Sequence, residues 1–524
     1  MRPDAAPSSD TLRELQRRLG RAPPTPALVA EVLAQIQARL AVDDGEAVVP
    51  LLETLVKRAG ASAEALSLLG HAHRQAQSLT AAGRAFAAAR RLDGTDPMLA
   101  LAAAQTRYQL GLPAAEAFLE AGRLLPPGRE EIRLAALSNA AQARLSEGDA
   151  PGGEALLRAE LAKRPDWLEG HRVLSRLLWV SGRAGEHDAS FPTALAAVPG
   201  LRSLWLAWFQ SAAQIRDWDR AREILDRAEA ACGHGPDLMA ARLFVATEGG
   251  TPDEAGRLMQ ETAELQGDGV TLCRVRALLR QGRAAEAAAM ALPGTTGPSA
   301  MTFWPYLSLA WRLLGDDRAE WLDGPTRMIR TLDLGLDRRE REGLADLLRH
   351  LHTLERPYAE QSVRGGTQTD RSILLRGEPQ LQRLRRHLLE GVADYVAGLP
   401  AMDAGHPLLG LRRDRLRIAG SWSVRLAGQG YNVAHTHPVG WISAVYYVSL
   451  PPPEQMGPAP AGWITFGAPP PELGLSLDPY AQVEPRPGRL VLFPSHMWHG
   501  TQPFSDGERL VVAFDLQRHP ARVD

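Results

Sequence analysis

Two histidines separated by one residue are the most distinctive chemical feature of this sequence. His435 and His437 lie in AHTHPVGWISAVYYVSLP (residues 434–451), directly before a run of β-branched and aromatic residues that predicts a strand. Side chains alternate along a strand, so residues i and i+2 point to the same face. Two imidazoles on one face are suitable ligands for a divalent metal ion. The spacing therefore predicts that both histidines face one cavity and bind a metal.

A third histidine and an arginine extend this pattern toward the C-terminus. The segment GRLVLFPSHMWHGTQPF (488–504) predicts a strand over Arg489–Phe493, a Pro-Ser turn and then His499. In a jelly roll, strands of opposing sheets bring their side chains together at the open end, so His499 is the third candidate ligand. Arg509 follows ten residues later and opens the predicted strand 509–516. Its guanidinium group can bind a carboxylate through two parallel N–H bonds.

His496 competes with His499 for the third ligand position. It lies in the turn after Pro494, where exposure to solvent is expected, and it does not keep the ten-residue spacing to Arg509. We therefore prefer His499. Asp515, on the final predicted strand, is assigned a structural role.

The elements that must position these residues differ between two halves of the chain. Residues from about 10 to 345 are rich in Ala, Leu, Arg and Glu, with apolar residues at helical spacing and breaks at Gly or Pro. From about residue 400, β-branched and aromatic residues form shorter runs, which predict strands. We expect a multidomain α + β protein with a helical domain at 1–345 and a second domain at 346–524. The segment between the two patterns contains a predicted turn, RGGTQT (364–369), and a predicted helix at 379–399.

The helical half contains a repeat. If Arg202 is position one of a unit, Trp205 is position four, Ala221 position twenty and Leu225 position twenty-four, and Ala255 repeats position twenty after 34 residues. An earlier unit places Gly70 at position eight, Ala82 at twenty and Phe86 at twenty-four. This pattern resembles the tetratricopeptide repeat, in which small residues let two helices of a hairpin approach and large residues fill the space between repeats. The resemblance implies an α-solenoid whose groove binds a protein or peptide partner; an irregular helical domain is the alternative.

Composition limits the class of protein. The chain has 524 residues, 59 Lys plus Arg, 61 Asp plus Glu and a formal net charge of −2, which gives no indication of a nucleic-acid partner. Two cysteines exclude a disulfide framework and favour a reducing compartment. The N-terminal segment MRPDAAPSSD lacks the apolar core of a signal peptide, and no apolar run is long enough to span a membrane. We expect a cytoplasmic protein; the sequence does not indicate its oligomeric state.

Four segments together resemble the bacterial family called "putative 2OG-Fe(II) oxygenase", within the prolyl-hydroxylase-like branch of the iron(II)- and 2-oxoglutarate-dependent oxygenases. They are QSVRGGTQT (361–369), GSWSVRL (420–426), GYNVAHTHPVGWISAVYYVSLP (430–451) and VLFPSHMWHGTQPF (491–504). The resemblance covers residues from about 355 to 520 and implies a double-stranded β-helix (jelly roll).

The resemblance also implies roles for single residues. His435, His437 and His499 would bind Fe(II), and Arg509 would pair with the distal carboxylate of the co-substrate 2-oxoglutarate. Tyr447 is a candidate contact of the co-substrate, Tyr431 a weaker one, and Tyr446 a packing residue. The implied reaction uses O2 and hydroxylates a protein, peptide or small-molecule substrate recruited by the repeats, with ascorbate as an optional additional cofactor.

Position 437 departs from the wider superfamily, which has Asp or Glu there. A neutral histidine in place of a carboxylate leaves the metal site more positively charged. It also leaves two alternative functions open. One is a three-histidine, cupin-like metal enzyme that does not use 2-oxoglutarate, although Trp441 then stands where cupins usually have Glu, and Arg509 has no role. The other is a repeat scaffold or binding protein whose β domain is inert.

Overall fold

The computed structural model describes residues 8–21, 23–410 and 412–518. The first seven residues, on which the expectation about a signal peptide partly depends, lie outside these ranges. The chain divides into two compact units, one of residues 1–157, 372–383 and 518–524, the other of residues 158–371 and 384–517. The predicted domain boundary near residue 345 falls inside the second unit, and it stays a prediction.

Helices occupy nearly all of the chain up to residue 161. Their apolar faces are rich in Leu and Ala, and the structure gives them as α1 (Ser9–Arg21), α2 (Pro26–Ala41), α3 (Gly45–Ala59), α4 (Ala63–Gln75), α5 (Leu79–Leu92), α6 (Pro97–Gln109), α7 (Ala115–Leu124), α8 (Glu130–Ser146) and α9 (Ala150–Leu161).

Helices continue through the first half of the second unit and recur at three later points. These are α10 (Leu168–Val180), α11 (Ser190–Ala197), α12 (Arg202–Gln214), α13 (Trp218–Cys232), α14 (Pro236–Gly249), α15 (Pro252–Glu261), α16 (Asp268–Arg280), α17 (Ala284–Ala291), α18 (Ala300–Leu314), α19 (Arg318–Asp323), α20 (Pro325–Met328), α21 (Arg338–Leu351), α22 (Pro379–Ala397) and α23 (Pro453–Met456). Among the described residues, no helix is both long and apolar enough to cross a membrane.

The helices form the predicted repeat hairpins. α12 begins at Arg202 and α14 at Pro236, the two predicted starting points of repeat units. The small residue Ala221 of α13 is fully buried, as is Ala255 of α15. In the earlier unit, a Cβ atom on Gly70 would lie 2.5 Å from the ring of Phe86, so glycine at position eight makes room for the large residue at position twenty-four. The solenoid prediction is confirmed, and close packing of the hairpins is its physical reason.

Two antiparallel sheets form the C-terminal part of the second unit. The six-stranded sheet has the order β1-β7-β4-β9-β3-β2 and the three-stranded sheet the order β6-β5-β8. The strands are β1 (Arg330–Asp333), β2 (Val363–Gln368), β3 (Leu416–Asn432), β4 (Ile442–Ser449), β5 (Ile464–Phe466), β6 (Ala481–Val483), β7 (Arg489–Pro494), β8 (His499–Thr501) and β9 (Arg509–Arg518). The predicted α + β class with a C-terminal jelly roll is confirmed; within the described residues the sheets do not close into a barrel.

The segment RGGTQT was predicted to be a turn, and this is wrong. Residues 363–368 form β2, which pairs with β3 through a register shift between Arg364 and Gly366. A Cβ atom on Gly366 would lie 2.2 Å from the carbonyl oxygen of Arg425, and Gly365 has a φ of 69°. The two glycines therefore allow a bulged strand to approach its neighbour closely, which their composition alone does not distinguish from a turn.

Candidate metal centre

His435 and His437 lie in the connection between β3 and β4, and His499 opens β8. His435 and His499 form an isolated antiparallel bridge, with N···O distances of 2.9 and 3.0 Å in the two directions. The backbone N–H of His437 donates to the carbonyl oxygen of Ser495 at 3.0 Å. Isolated backbone hydrogen bonds therefore hold His435 and His437 against the segment that carries His499. The sequence pattern predicts a strand at these two histidines, and the structure has none there.

The three imidazoles face one another. Their ring centroids are 4.3 Å apart for His435 and His499, 5.0 Å for His435 and His437, and 5.0 Å for His437 and His499. One ring nitrogen from each residue lies within 4.8 Å of the others. This separation allows three nitrogens to surround a single ion.

Hydrogen bonds determine which ring nitrogens are available. Nδ1 of His435 lies 2.8 Å from the carbonyl oxygen of Val433, and Nδ1 of His499 lies 3.0 Å from that of Met497. Nδ1 of His437 lies 2.7 and 2.8 Å from the two carboxylate oxygens of Asp515. Since these oxygens only accept hydrogen bonds, each Nδ1 carries the proton and each Nε2 has a lone pair that can bind a metal; Nε2 of His435 lies 3.4 Å from Ser362 Oγ, which can donate to it while no metal is bound.

Burial keeps two of the rings neutral. It lowers the pKa of His435 to about 3, with a further contribution from the neighbouring His437. Burial, together with the other two histidines, also holds the pKa of His499 well below its usual value. Neutral imidazole is the form that binds metals.

Asp515, which the sequence analysis treats as structural, contacts the centre directly. It is buried and accepts hydrogen bonds from Nδ1 of His437 and from Ser443 Oγ, the latter at 2.7 Å. A carboxylate that accepts a hydrogen bond from a ligating histidine fixes the ring and increases its basicity. The sequence does contain a signal for this residue, because Asp515 lies an even number of residues after Arg509 on one strand and so shares its face.

Arg509 is the first residue of β9, and its side chain lies on the same face of the strand as that of Asp515. Its side chain is almost completely buried, and its Nε has no hydrogen-bond partner; among the described residues no carboxylate forms an ion pair with it. Its guanidinium carbon lies 5.2 Å from the ring centroid of Tyr447. Burial raises the pKa of Tyr447, and the charge of Arg509 opposes that rise. A buried guanidinium without a counter-charge is costly, which suits an anion bound in the cavity.

Two of the sequence candidates lie away from the cluster. Tyr431 is 37% exposed at the end of β3, opposite Arg364, and does not line the cavity. His496, expected to be exposed, is instead buried and lies 3.6 Å from Asp323. Both departures follow from chain direction: the side chain of Tyr431 leaves β3 on the solvent side, and the turn after Pro494 directs His496 into the core.

A cavity of about 310 Å3, called here the metal cavity, connects the three histidines with Arg509. Apolar side chains cover much of its wall, among them Val424, Val445, Phe493 and Val511. Trp422, with its ring centroid 5.4 Å from that of His437, closes one side. The arrangement is a three-nitrogen metal site at one position and a carboxylate-binding arginine at another, joined by a mostly apolar space.

Comparison with known proteins gives similarity to solved structures of two kinds. A prolyl-4-hydroxylase from Pseudomonas putida is 18% identical over 37% of this chain and 94% of its own, with a TM-score of 0.26. HygX from Streptomyces hygroscopicus, solved with nickel, 2-oxoglutarate and hygromycin B bound, is 13% identical over 37% and 84%, with a TM-score of 0.26. A tetratricopeptide repeat protein from Parabacteroides merdae is 14% identical over 54% and 98%, with a TM-score of 0.30.

No curated protein matches the sequence of this chain. A family model does match its C-terminal part. Residues 420–515, which contain the three histidines, Arg509 and Asp515, match the family described as "Putative 2OG-Fe(II) oxygenase". The resemblance inferred from the sequence motifs is therefore confirmed for this segment.

Proposed function

We propose that the second unit is an iron(II)- and 2-oxoglutarate-dependent dioxygenase, in which His435, His437 and His499 bind iron. One observation carries the proposal: ring nitrogens of three histidines lie within 4.8 Å of one another beside a cavity that also contains a buried arginine, which has no carboxylate partner among the described residues. The donor set suits Fe(II), since imidazole is a common ligand of this ion. The match of residues 420–515 to the oxygenase family supports the same conclusion.

Arg509 would hold the co-substrate. A dicarboxylate such as 2-oxoglutarate supplies the counter-charge that the buried guanidinium lacks, and two parallel N–H···O bonds would fix its orientation. Tyr447 supports the arginine by packing against it and not by lining the metal cavity. Tyr431 takes no part in this proposal because of its exposed position.

Asp515 would provide the negative charge that the ligand set itself lacks. It accepts the Nδ1 proton of His437, so that residue's Nε2 becomes a stronger donor while the carboxylate stays outside the ligand sphere. Ser443 donates to the same carboxylate and holds it in place. In this way a histidine at position 437 and an aspartate behind it would together replace a ligating carboxylate.

Bound iron would supply the activation of O2 that couples decarboxylation of 2-oxoglutarate to oxidation, most simply hydroxylation, of a substrate. The chain's own part is to hold the three imidazoles, to bind the co-substrate carboxylate at Arg509 and to exclude water. Val445, Phe493 and Val511 form an apolar wall around the reacting space. Such a wall strengthens electrostatic contacts inside it and limits side reactions.

The helical repeats would recruit the substrate, and the two free cysteines are consistent with a cytoplasmic protein. A protein or peptide is the substrate class that a repeat groove favours.

The test uses the full chain under anaerobic conditions. Addition of Fe(II) and 2-oxoglutarate should give the weak visible absorption band of the iron–2-oxoglutarate chelate, and addition of O2 should give succinate. Absence of the band would refute the proposal. A band-free chain that still binds Fe(II) tightly would instead support the three-histidine enzyme that does not use 2-oxoglutarate, and a chain that binds no metal would support the scaffold alternative.

Arg509→Ala tests the co-substrate assignment. The affinity for 2-oxoglutarate should fall by about 30-fold or more, because removal of one partner of a buried charge pair costs about 2–5 kcal/mol. Arg486→Ala is a matched control, because Arg486 is exposed and pairs with Glu484. Unchanged affinity in Arg509→Ala would contradict the assignment.

A further inference from the structure

Three joined depressions lead along the second unit from its repeat helices to the metal centre. A distal groove of about 250 Å3 lies against α10 and α12. A middle cleft of about 640 Å3 lies between α12, α14, α16 and the β part, and it shares Gln214 with the distal groove. The middle cleft also shares Glu360, Gln361, Ser362 and His435 with the metal cavity. The three depressions therefore adjoin one another in a series, called here the path, that ends at a candidate iron ligand.

The repeat places exposed side chains in register along the first part of this path. Arg176 of α10, Gln210 of α12 and Phe244 of α14 are 34 residues apart, are all exposed, and line the groove or the cleft. Packed helices lie about 8–10 Å apart, and an extended chain advances about 3.3 Å per residue. Each helix therefore corresponds to about three residues of an extended polypeptide.

Phe244 gives the path an apolar contact point. It is 36% exposed, although it is a large aromatic residue, and its ring lies edge-on to Phe209 and Trp218 at centroid distances of 6.4 and 6.1 Å. An exposed aromatic supported from behind by other rings is the kind of residue that anchors a bound side chain.

Two of the three carboxylates that line the middle cleft are paired with an arginine. Glu248 is paired with Arg276, whose Nε and Nη2 lie 2.5 and 2.6 Å from its two oxygens. Glu472 is paired with Arg216. Glu360 forms no hydrogen bond or ion pair with any described residue, and it borders the metal cavity as well as the cleft.

Arg364 lies near Glu360 in sequence, but its Nη1 donates to the backbone oxygens of Gln361 and Val363, both at 2.8 Å. It therefore holds the segment that carries Glu360. The carboxylate left without a partner is at the end of the path nearest the candidate iron site.

We propose that this path binds an extended polypeptide, with an apolar side chain against Phe244 and a basic side chain against Glu360 next to the residue that is oxidised. A small molecule would fill one depression, whereas three joined depressions that follow the helix repeat fit a chain. The inference rests on the proposed function for its reaction, but its binding prediction does not depend on iron or 2-oxoglutarate.

The experiment selects ligands from a display library of random 12-residue peptides with the immobilised full chain, and then measures the selected peptides by fluorescence anisotropy. Selected peptides should contain a Lys or Arg and an apolar residue at a fixed separation. Phe244→Ala should weaken their binding by at least tenfold, and Leu292→Ala, which removes a comparably exposed apolar side chain outside the path, should not.

Glu360→Gln gives the second arm of the test. It should weaken peptides that contain Lys or Arg by at least fivefold and leave versions with norleucine at that position unchanged. Circular dichroism of each variant checks that the chain is folded. Selection of no peptide, or of peptides whose binding both variants leave unaltered, would overturn the inference.

The iron–2-oxoglutarate band of the wild-type chain separates the two proposals. A band without peptide binding would refute only the polypeptide path. Peptide binding without a band would refute the dioxygenase and leave the path standing.

Discussion

Two clusters of histidines in the second unit differ in what their side chains do. In the metal centre, each of the three rings uses Nδ1 for a hydrogen bond, and one ring nitrogen of each lies within 4.8 Å of the others beside a cavity. In the second cluster, called here the core cluster, His406 and His496 lie beside Asp323 with their ring centroids 6.1 Å apart. His406 has both nitrogens occupied, Nδ1 by the backbone N–H of Leu408 at 3.0 Å and Nε2 by the carbonyl oxygen of Leu322 at 2.9 Å.

The difference shows what makes a histidine available to a ligand. Both clusters are largely buried and both contain an aspartate, so neither burial nor composition distinguishes them. What differs is convergence: ring nitrogens of three histidines meet at one point in the metal centre, whereas in the core cluster both nitrogens of His406 bond to the backbone and Nε2 of His496 lies 3.6 Å from Asp323. Asp515 is bonded to a ring that faces a cavity, and Asp323 accepts a hydrogen bond from Ser308 Oγ at 2.5 Å within the core.

The largest expected effect comes from replacing, one at a time, the two histidines that compete in the sequence for the third ligand position. His499→Ala should reduce Fe(II) affinity by more than about 100-fold, because loss of a ligand costs more than the 10–100-fold typical of an outer partner. His496→Ala should leave Fe(II) affinity unchanged and lower the free energy of unfolding by about 1–3 kcal/mol. Anaerobic Fe(II) titration and chemical denaturation measure the two quantities. Equal loss of iron affinity in both variants would contradict the distinction between a ligand at His499 and a core residue at His496.

A second pair of variants compares the two aspartates. Asp515→Asn should weaken Fe(II) binding by about 10–100-fold, because the amide is a poorer acceptor for the Nδ1 proton of His437. Asp323→Asn should alter stability by about 1–3 kcal/mol and leave metal affinity alone. If Asp515→Asn binds Fe(II) as tightly as the wild type, Asp515 has only the structural role that the sequence suggested.

The core cluster should also make stability depend on pH. Burial lowers the pKa of His406 from its ordinary 6.5 to about 4, helped by the charge of His496 and opposed by the bond to Leu322 and by Asp403 and Asp323. Between these two pH values the unfolded chain binds a proton that the folded chain does not, so stability falls as pH decreases through this window. His406→Asn should remove on the order of 2 kcal/mol of this dependence. Denaturation of both proteins at pH 7, 5.5 and 4.5 measures it; parallel curves would contradict the assignment.

The smallest effects belong to the serines behind each carboxylate. Ser443→Ala removes the hydrogen bond to Asp515 and should weaken Fe(II) binding by only about threefold to tenfold, since one such bond contributes about 1 kcal/mol. Ser308→Ala removes the bond to Asp323 and should lower stability by about 1 kcal/mol with no change in metal binding. A larger effect of Ser308→Ala than of Ser443→Ala on Fe(II) affinity would reverse the roles of the clusters.

Local patterns were enough to predict much of the fold. The starts of α12 and α14 followed from the 34-residue spacing of small and large residues, because hairpin packing depends on neighbours that are close in sequence. The strands β7 and β9 followed from short β-branched runs between turn residues. The β2 bulge did not follow, because two adjacent glycines permit a turn and a close strand pair equally well.

The sequence by itself determined that His435, His437, His499 and Arg509 belong together, since their order and spacing match the family motif, which the family model also finds over residues 420–515. Only the tertiary structure decided which atoms of these residues form hydrogen bonds within the chain and which can bind a metal or co-substrate. The orientation of a ring depends on partners 78 residues away in the case of His437 and Asp515, and the burial of His496 depends on Asp323 in another segment. Contacts of this kind arise when the sheets and helices pack, and no local pattern of residues encodes them.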